Sequence, residues 1–276
     1  MSELLAPTKT LSEAWLQALT HVASRRGGRC VHLVMTVESP GLENEAIRNA
    51  LDRTLDAAGD QSVATVAGTI FPSSLYQSPG FSWAPDLGEQ AADELDAAAR
   101  SLYKRYTTML PVLRRVRANN RGTYFSRMIT WPGKTPGGTN QLDLRISRIR
   151  SEFARGNRTN NTLDVDVGAD ALAAEPLAGV QVLLPSEQRT RSFPCLVHID
   201  LTLFGGTLHC TAVYRHQYLI TKAYGNLVGL SNLMHFLCEQ TGAECGELVV
   251  HATLADAEPD HRPKPRALVK SLGELL

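Results

Sequence analysis

The sequence predicts one α/β or α+β domain, a mixed sheet flanked by helices, spanning residues 1–276. Three observations point there. Short apolar runs suited to strands are interleaved with longer runs whose apolar residues recur at helical spacing, the layer pattern of a single mixed fold. Gly205-Gly206 stands between two apolar, alternating segments, a strong hairpin signal. No internal repeat or low-complexity tract breaks the chain, whose 276 residues are about 1.8 times a typical ~150-residue domain.

Each element has its own local reason. In LSEAWLQALTHVAS, residues 11–24, Leu11, Trp15, Leu19 and Val22 share a helical stripe, and the Thr10 or Ser12 hydroxyl can cap its start. The turn RRGGR leads into VHLVMTVES, an apolar strand, and then into ENEAIRNALDRTLDAAG, a helix with Ile47, Leu51 and Leu55 at i, i+4 and i+8. VATVAGTIFP reads as a second strand stopped by Pro72. Residues 88–117 are helical in pattern, with Pro111 as the expected break or kink. Residues 138–156 put Leu142, Ile146, Ile149 and Phe153 on one helix face and end at Gly156. The Ala-, Gly-, Pro- and Asp-rich stretch 157–192 is expected to hold a strand or two, near TLDVDV and VQVLLP, joined by a long loop. PCLVHIDLTLFGGTLHCTAVYR then reads as the hairpin. NLVGLSNLMHFLCEQTG reads as a helix closed by Gly242, packed on the sheet through Leu227, Leu230, Met234 and Leu237. ELVVHATLA is a further strand, and KPRALVKSLGELL an amphipathic helix.

Composition removes several function classes. Lys+Arg 28 balance Asp+Glu 28, giving a formal net charge of +0, so the chain lacks the field of a nucleic-acid coat or a polybasic membrane binder. Cys30, Cys195, Cys210, Cys238 and Cys245 form no C-x-x-C pair, which argues against a disulfide framework or zinc knuckle and for reduced thiols. The segment MSELLAPTKTLSEAW lacks the layout of a signal peptide, and no run approaches the ~20 apolar residues of a membrane span. The expected location is the cytoplasm, with no nucleic-acid, membrane or metal partner.

Cys195 follows Phe193-Pro194 at the start of a strand, where a cysteine taken alone is ordinarily a core thiol. Fifteen residues on comes Cys210, five further Arg215, and eleven beyond that Asn226. The blocks P-C-L at 194–196, TLHCTAVYRHQY at 207–218 and KAYGNLVGL at 222–230 resemble the P-C-H, L-x-C-x-L-Y-Q-R-S-x-D and F-N motifs of thymidylate synthases and the related pyrimidine-nucleotide hydroxymethylases. GTYFSRMITWP at 122–132 is similar to that family's G-P-V-Y-G-x-Q-W-R-x-W-P. Tyrosine and tryptophan stand seven residues apart in both. NQL at 140–142 and TGAECGELVVH also resemble family segments, so the matched core is about 122–251.

The resemblance implies a thymidylate synthase-like fold and a C5 transferase. Carbon 5 of a pyrimidine is a poor nucleophile; a thiolate added to carbon 6 makes carbon 5 reactive toward a one-carbon unit. Cys195 takes that role. Arg215 matches the arginine that lowers the thiol pKa and binds the nucleotide phosphate, with a solvated strand-end charge as the other reading. Asn226 matches the amide that pairs with the base, or is a helix N-cap. Tyr124 matches the tyrosine that helps remove the carbon 5 proton, or is a buried ring on a strand. Arg158, with Arg155 nearby, matches the phosphate arginines that a partner subunit supplies, which implies a homodimer. Glu94 or Glu89 is the candidate for the carboxylate that orders active-site waters. The implied cofactor is 5,10-methylenetetrahydrofolate and the implied partner a pyrimidine nucleotide.

Departures from the family pattern are equally specific. Leu196 stands where the family has His, and His216 where it has Ser. Tyr218 replaces the aspartate that touches the folate pterin, and Asp256 and Glu258 replace the His and Tyr that hold the sugar 3′-hydroxyl. KPRALVKSLGELL replaces the segment that closes over folate. Two functions from different classes follow: a divergent transferase adding a methyl or hydroxymethyl group, or a non-catalytic nucleotide-binding or assembly subunit.

Overall fold

The computed structural model describes residues 3–116, 119, 122–131, 138–160, 180–181 and 195–275. It is a mixed α/β fold, a mixed sheet flanked by helices. Among the described residues the elements are β1 (Glu3–Leu4), α1 (Leu11–Ser24), β2 (Arg29–Val37), α2 (Glu45–Ala58), α3 (Val63–Ala67), α4 (Glu89–Leu113), α5 (Tyr124–Ile129), α6 (Gln141–Ala154), β3 (Val180–Gln181), β4 (Leu196–Phe204), β5 (Thr207–Tyr214), β6 (Gln217–Tyr218), α7 (Tyr224–Thr241), β7 (Glu244–Asp256) and α8 (Pro265–Gly273).

The strand order is β1-β2-β7-β5-β4-β3, with β6 beside β7. β4 and β5 form the expected antiparallel hairpin, pairing Phe204 with Thr207 across Gly205-Gly206. β5 runs parallel to β7, which pairs antiparallel with β2. In β5, Leu208, Cys210, Ala212 and Tyr214 are buried under the helices, while Thr211 and Val213, with Val249 and His251 of β7, are half-buried on the opposite face. Helix α7 crosses the covered face, and Leu227, Leu230, Met234 and Leu237 are all buried, as their spacing predicts. Gly242, with φ 74°, closes it in the left-handed conformation that glycine adopts at least cost. Thr10 caps α1 with Glu13 reciprocating, and Trp15 donates from its indole to the Leu219 carbonyl at 2.6 Å, tying α1 to the approach to α7.

Two expectations are overturned. VATVAGTIFP is not a strand. Residues 63–67 are a short helix, because Ser62 caps them by accepting from the Thr65 N–H at 3.2 Å and α3 packs closely on α7. That contact needs small residues: a Cβ at Gly225 would fall 2.6 Å from Val66 Cβ, and one at Gly229 would fall 2.8 Å from the Ala67 carbonyl oxygen. Close packing here outweighs the strand preference of Val and Thr. Pro111 does not break its helix either. It sits on the exposed side of the last turn of α4, which stops at Leu113, so few bonds are forfeited. The strand expected near VQVLLP exists as β3, Val180–Gln181, paired with β4; TLDVDV lies outside the described residues.

Candidate active site

Cys195 lies just before β4, where the pairing with β5 slips between Leu196, opposite Tyr214, and His198, opposite Val213. Such an irregularity re-aims the neighbouring side chain. The Cys195 carbonyl accepts from the Arg215 N–H at 2.8 Å, which binds the two strand ends together. Tyr124 opens α5, a helix and not the strand considered above, whose start is fixed by a reciprocal Thr123–Ser126 cap. From there its phenol oxygen accepts from the Cys195 N–H at 3.2 Å and from the Leu196 N–H at 3.4 Å. Two predicted site residues, 71 positions apart, are thus in direct contact. Burial, reinforced by the Cys195 thiol, pushes the Tyr124 phenol up to about 12, so it holds its proton at neutral pH and can still donate it.

A lysine stands just before α7, within the matched block 222–230 but with no role assigned to it there. Lys222 sits in a wide helical turn, Leu219–Ala223, running directly into α7. Its Nζ donates to Gln61 Oε1, at the head of α3, at 2.6 Å. Burial pushes the Cys195 thiol up and the positive charge of Lys222 pulls it down. Burial lowers the Lys222 ammonium too, against the pull of Asp60, Glu258 and Cys195. Asn226, one turn along the helix from Lys222, is 5% exposed, and among the described residues its amide has no hydrogen-bond partner. It is not the N-cap, because the helical path begins seven residues earlier at Leu219.

Asp256 and Glu258 do not present free carboxylates to a ligand. Asp256 accepts from Arg29 Nε at 2.7 Å and from the Glu258 N–H at 2.8 Å, with His216 Nε2 at 3.6 Å. Glu258 accepts from the Ile220 N–H, the Thr221 N–H and the Thr221 hydroxyl at 2.7, 2.9 and 2.7 Å, capping the wide turn that carries Lys222.

The remaining predicted residues lie elsewhere. Glu94 and Glu89 are exposed on α4, and the adjacent Leu95 carbonyl accepts from Gln240 near the C-terminal end of α7, about 25 Å along the helix from Lys222. The structure does not bring either carboxylate to Cys195. α4 reaches the site at its later turns instead, where the Tyr106 hydroxyl is hydrogen-bonded to the Thr123 hydroxyl beside Tyr124. Arg158 is exposed beside the hairpin tip, its carbonyl accepting from the Gly206 N–H at 2.8 Å and its guanidinium 5.5 Å from the Phe153 ring centroid. The nine residues of β4 separate that tip from Cys195 by about 30 Å. Arg155 caps the end of α6, exposed on the same side. Arg215 is exposed at the end of β5, with its carbonyl bonded by the Thr253 hydroxyl.

Several buried polar atoms near the strand ends lack protein partners among the described residues: the Tyr214 hydroxyl and both amide atoms of Gln217. Tyr214 is fully buried next to Cys195 and Tyr124, and burial raises its phenol well above the ordinary value. Unpaired buried groups of this kind are costly, and a bound polar ligand would satisfy them. Among the described residues no cluster of His, Cys, Asp and Glu is arranged to hold a metal ion, and no helix is long and apolar enough to cross a membrane.

No protein-family model matches the chain. A curated protein from Methanothermobacter thermautotrophicus (strain Delta H), named "Putative thymidylate synthase", is 24% identical over 118 residues. That match covers 43% of this chain and 45% of the relative, so the chain spans less than half of the relative's length. Among solved structures, thymidylate synthase from T4 phage superposes with a TM-score of 0.32 at 17% identity, covering 43% of this chain and 35% of that one. The first likeness supports a distant thymidylate synthase-like relationship; the second is too remote to bear on function.

Proposed function

We propose that this chain is a divergent thymidylate synthase-like transferase that adds a methyl or hydroxymethyl group to carbon 5 of a pyrimidine nucleotide, with Cys195 as the attacking thiolate. The observation that carries the reading is the bonded set of Tyr124, Cys195 and Arg215, three residues from separate matched motifs held at one pair of strand ends. In the reaction the Cys195 sulfur bonds to carbon 6 and the 5,6 electron pair moves onto carbon 5. Carbon 5 then attacks an electrophilic one-carbon donor and releases its proton, and elimination of the thiolate restores the ring double bond. Tyr124, protonated and beside the sulfur, serves the proton at carbon 5. Asn226 pairs with the base through its free donor and acceptor, and Arg215 binds the phosphate. Arg158, about 30 Å from Cys195 in its own chain, acts only from a second copy, so the assembly is a homodimer with the half-buried sheet face as its interface.

The residues present do not fit the way the resembled family holds 5,10-methylenetetrahydrofolate. Tyr218, where the pterin-binding aspartate is expected, offers no carboxylate and leans on His216 at 4.3 Å between ring centroids. Helix α8 buries Leu268 and Leu272 and reaches α1, where Arg266 donates to the Ala23 carbonyl at 3.1 Å.

The test is tritium release to water from dUMP, UMP, dCMP and CMP labelled at carbon 5. Thiolate addition alone makes that hydrogen exchangeable, so no donor is needed. Release from at least one nucleotide, lost in Cys195→Ser, is the expected result. Calorimetric binding of a nucleotide with no release would replace the transferase by the binding-subunit reading.

A further inference from the structure

We propose that the cleft between α3, α4 and α7, on the side of α7 away from Asn226, is a second small-molecule site that takes an uncharged nucleoside. The inference goes beyond the transferase reading and does not depend on it.

The cleft holds about 510 Å³, within the ~300–1,000 Å³ typical of small-molecule sites. From α7 it is lined by Val228 and Asn232, one helical turn apart. Val228 lies two residues, about 200°, around the helix from Asn226, so the cleft and the base-reading amide occupy opposite sides of α7. Part of the lining is apolar, formed by Leu75, Met109 and Val228, and the Met109 side chain is 44% exposed there. The rest carries hydroxyls and an amide from Ser73, Ser74 and Asn232. Among the described residues, the side chains of Ser74 and Asn232 have no hydrogen-bond partner.

Charge decides the class of ligand. Among the described lining residues the cation is Arg48, and its guanidinium is already engaged, by Glu43 at 2.7 Å and Asp52 at 3.8 Å. Glu43 also accepts from the Tyr224 hydroxyl at 3.3 Å. Two carboxylates around one guanidinium leave nothing to neutralise a phosphate and would repel it. What the cleft does offer is an amide donor and acceptor for a base edge, hydroxyls for a sugar and an apolar wall for a ring face. These are the needs of a nucleoside without its phosphate.

The site also touches the groups that fix α5. The Thr69 carbonyl accepts from the Phe125 N–H at 2.8 Å. The Thr123 hydroxyl accepts from the Ser126 N–H at 3.2 Å and is bonded to the Tyr106 hydroxyl. Thr69, Thr123 and Tyr106 all line the cleft, so a bound nucleoside would rest against the start of the helix that Tyr124 opens.

The test is calorimetric titration of the full chain with uridine and with adenosine, each repeated in excess UMP. At least one nucleoside should bind, and UMP should not displace it. Asn232→Ala should weaken that binding about fivefold or more, and Ser74→Trp, which fills the exposed mouth of the cleft, should abolish it. No saturable binding of either nucleoside, displacement by UMP, or an affinity unchanged in Asn232→Ala or in Ser74→Trp would each overturn the proposal. Circular dichroism checks folding; should Ser74→Trp not fold, Asn232→Ala decides. Tritium release is read from labelled nucleotides at Cys195, so its failure and the failure of this site are told apart.

Discussion

Replacing Gly225 by alanine sets two opposed effects against each other, and the sign of the result reports on the α3–α7 contact. In an exposed helix the change stabilises by about 1 kcal/mol, because alanine loses less backbone entropy. Here the new methyl would meet Val66 Cβ at 2.6 Å, Val66 Cγ1 at 2.8 Å and the Val63 carbonyl oxygen at 2.9 Å. Carbon atoms pack best at about 3.5–4.0 Å, so α3 must retreat by roughly 1 Å. The oxygen belongs to the backbone of α3 and cannot rotate aside. Overpacking of this kind costs about 1–3 kcal/mol, so the net expectation is a loss of about 1 kcal/mol, roughly 2–4 °C in melting temperature for a chain of this size. Urea denaturation measures it. Val66→Ala in the same chain should recover part of the loss, a coupling of at least about 0.5 kcal/mol in the double-mutant cycle. A Gly225→Ala midpoint above wild type, as for any solvent-facing helical glycine, would refute the close contact and with it the route by which Gln61 reaches Lys222.

Three further outcomes are expected. Tyr124→Phe strips the acceptor from the Cys195 and Leu196 N–H groups; both bonds are long, so the stability loss should be about 1–2 kcal/mol by urea titration, with tritium release falling while Cys195 still alkylates. An unchanged urea midpoint would remove Tyr124 from the site. Tyr214→Phe deletes a buried hydroxyl without a protein partner among the described residues, so it should raise stability by up to about 1 kcal/mol and weaken nucleotide binding; a lower melting temperature would contradict the assignment. Asn226→Asp should move base preference from uracil toward cytosine, roughly 5- to 150-fold in calorimetric affinity, whereas Arg215→Ala should weaken every nucleotide alike. If Asn226→Asp changes stability alone, the amide does not read the base.

Elements whose stability is written into neighbouring residues were legible. The cap of α1, for which the sequence offered Thr10 or Ser12 and the structure uses Thr10, the Gly205-Gly206 turn and the Gly242 stop each depend on a few adjacent positions. α3 was not legible, since Val and Thr favour a strand and the deciding contact comes from Gly225 and Gly229, about 160 positions away. The same holds at the site. Cys195, Tyr124 and Arg215 announce themselves by motif spacing and meet in space. Gln61 lies outside the matched motifs and Lys222 opens one without an assigned role; the packing of α3 on α7 makes them neighbours. Glu94 failed for the complementary reason. A carboxylate early in a long helix was sought, but the start of that helix lies against the far end of α7 and only its later turns reach α5.

Two of the positions that differ from the resembled pattern are joined in the structure. Asp256 and Glu258, read from sequence as acceptors for sugar hydroxyls, are instead consumed by the protein. Asp256 holds the Glu258 backbone, where φ is 55° and a side chain other than glycine needs such support. Glu258 in turn caps the wide turn Leu219–Ala223 that runs into α7. A continuous chain of hydrogen bonds therefore runs from Asp256 through Glu258 to the start of the helix that carries Asn226. On this argument a change at Glu258 perturbs the start of α7, and with it the placement of Asn226, before it perturbs recognition of a sugar.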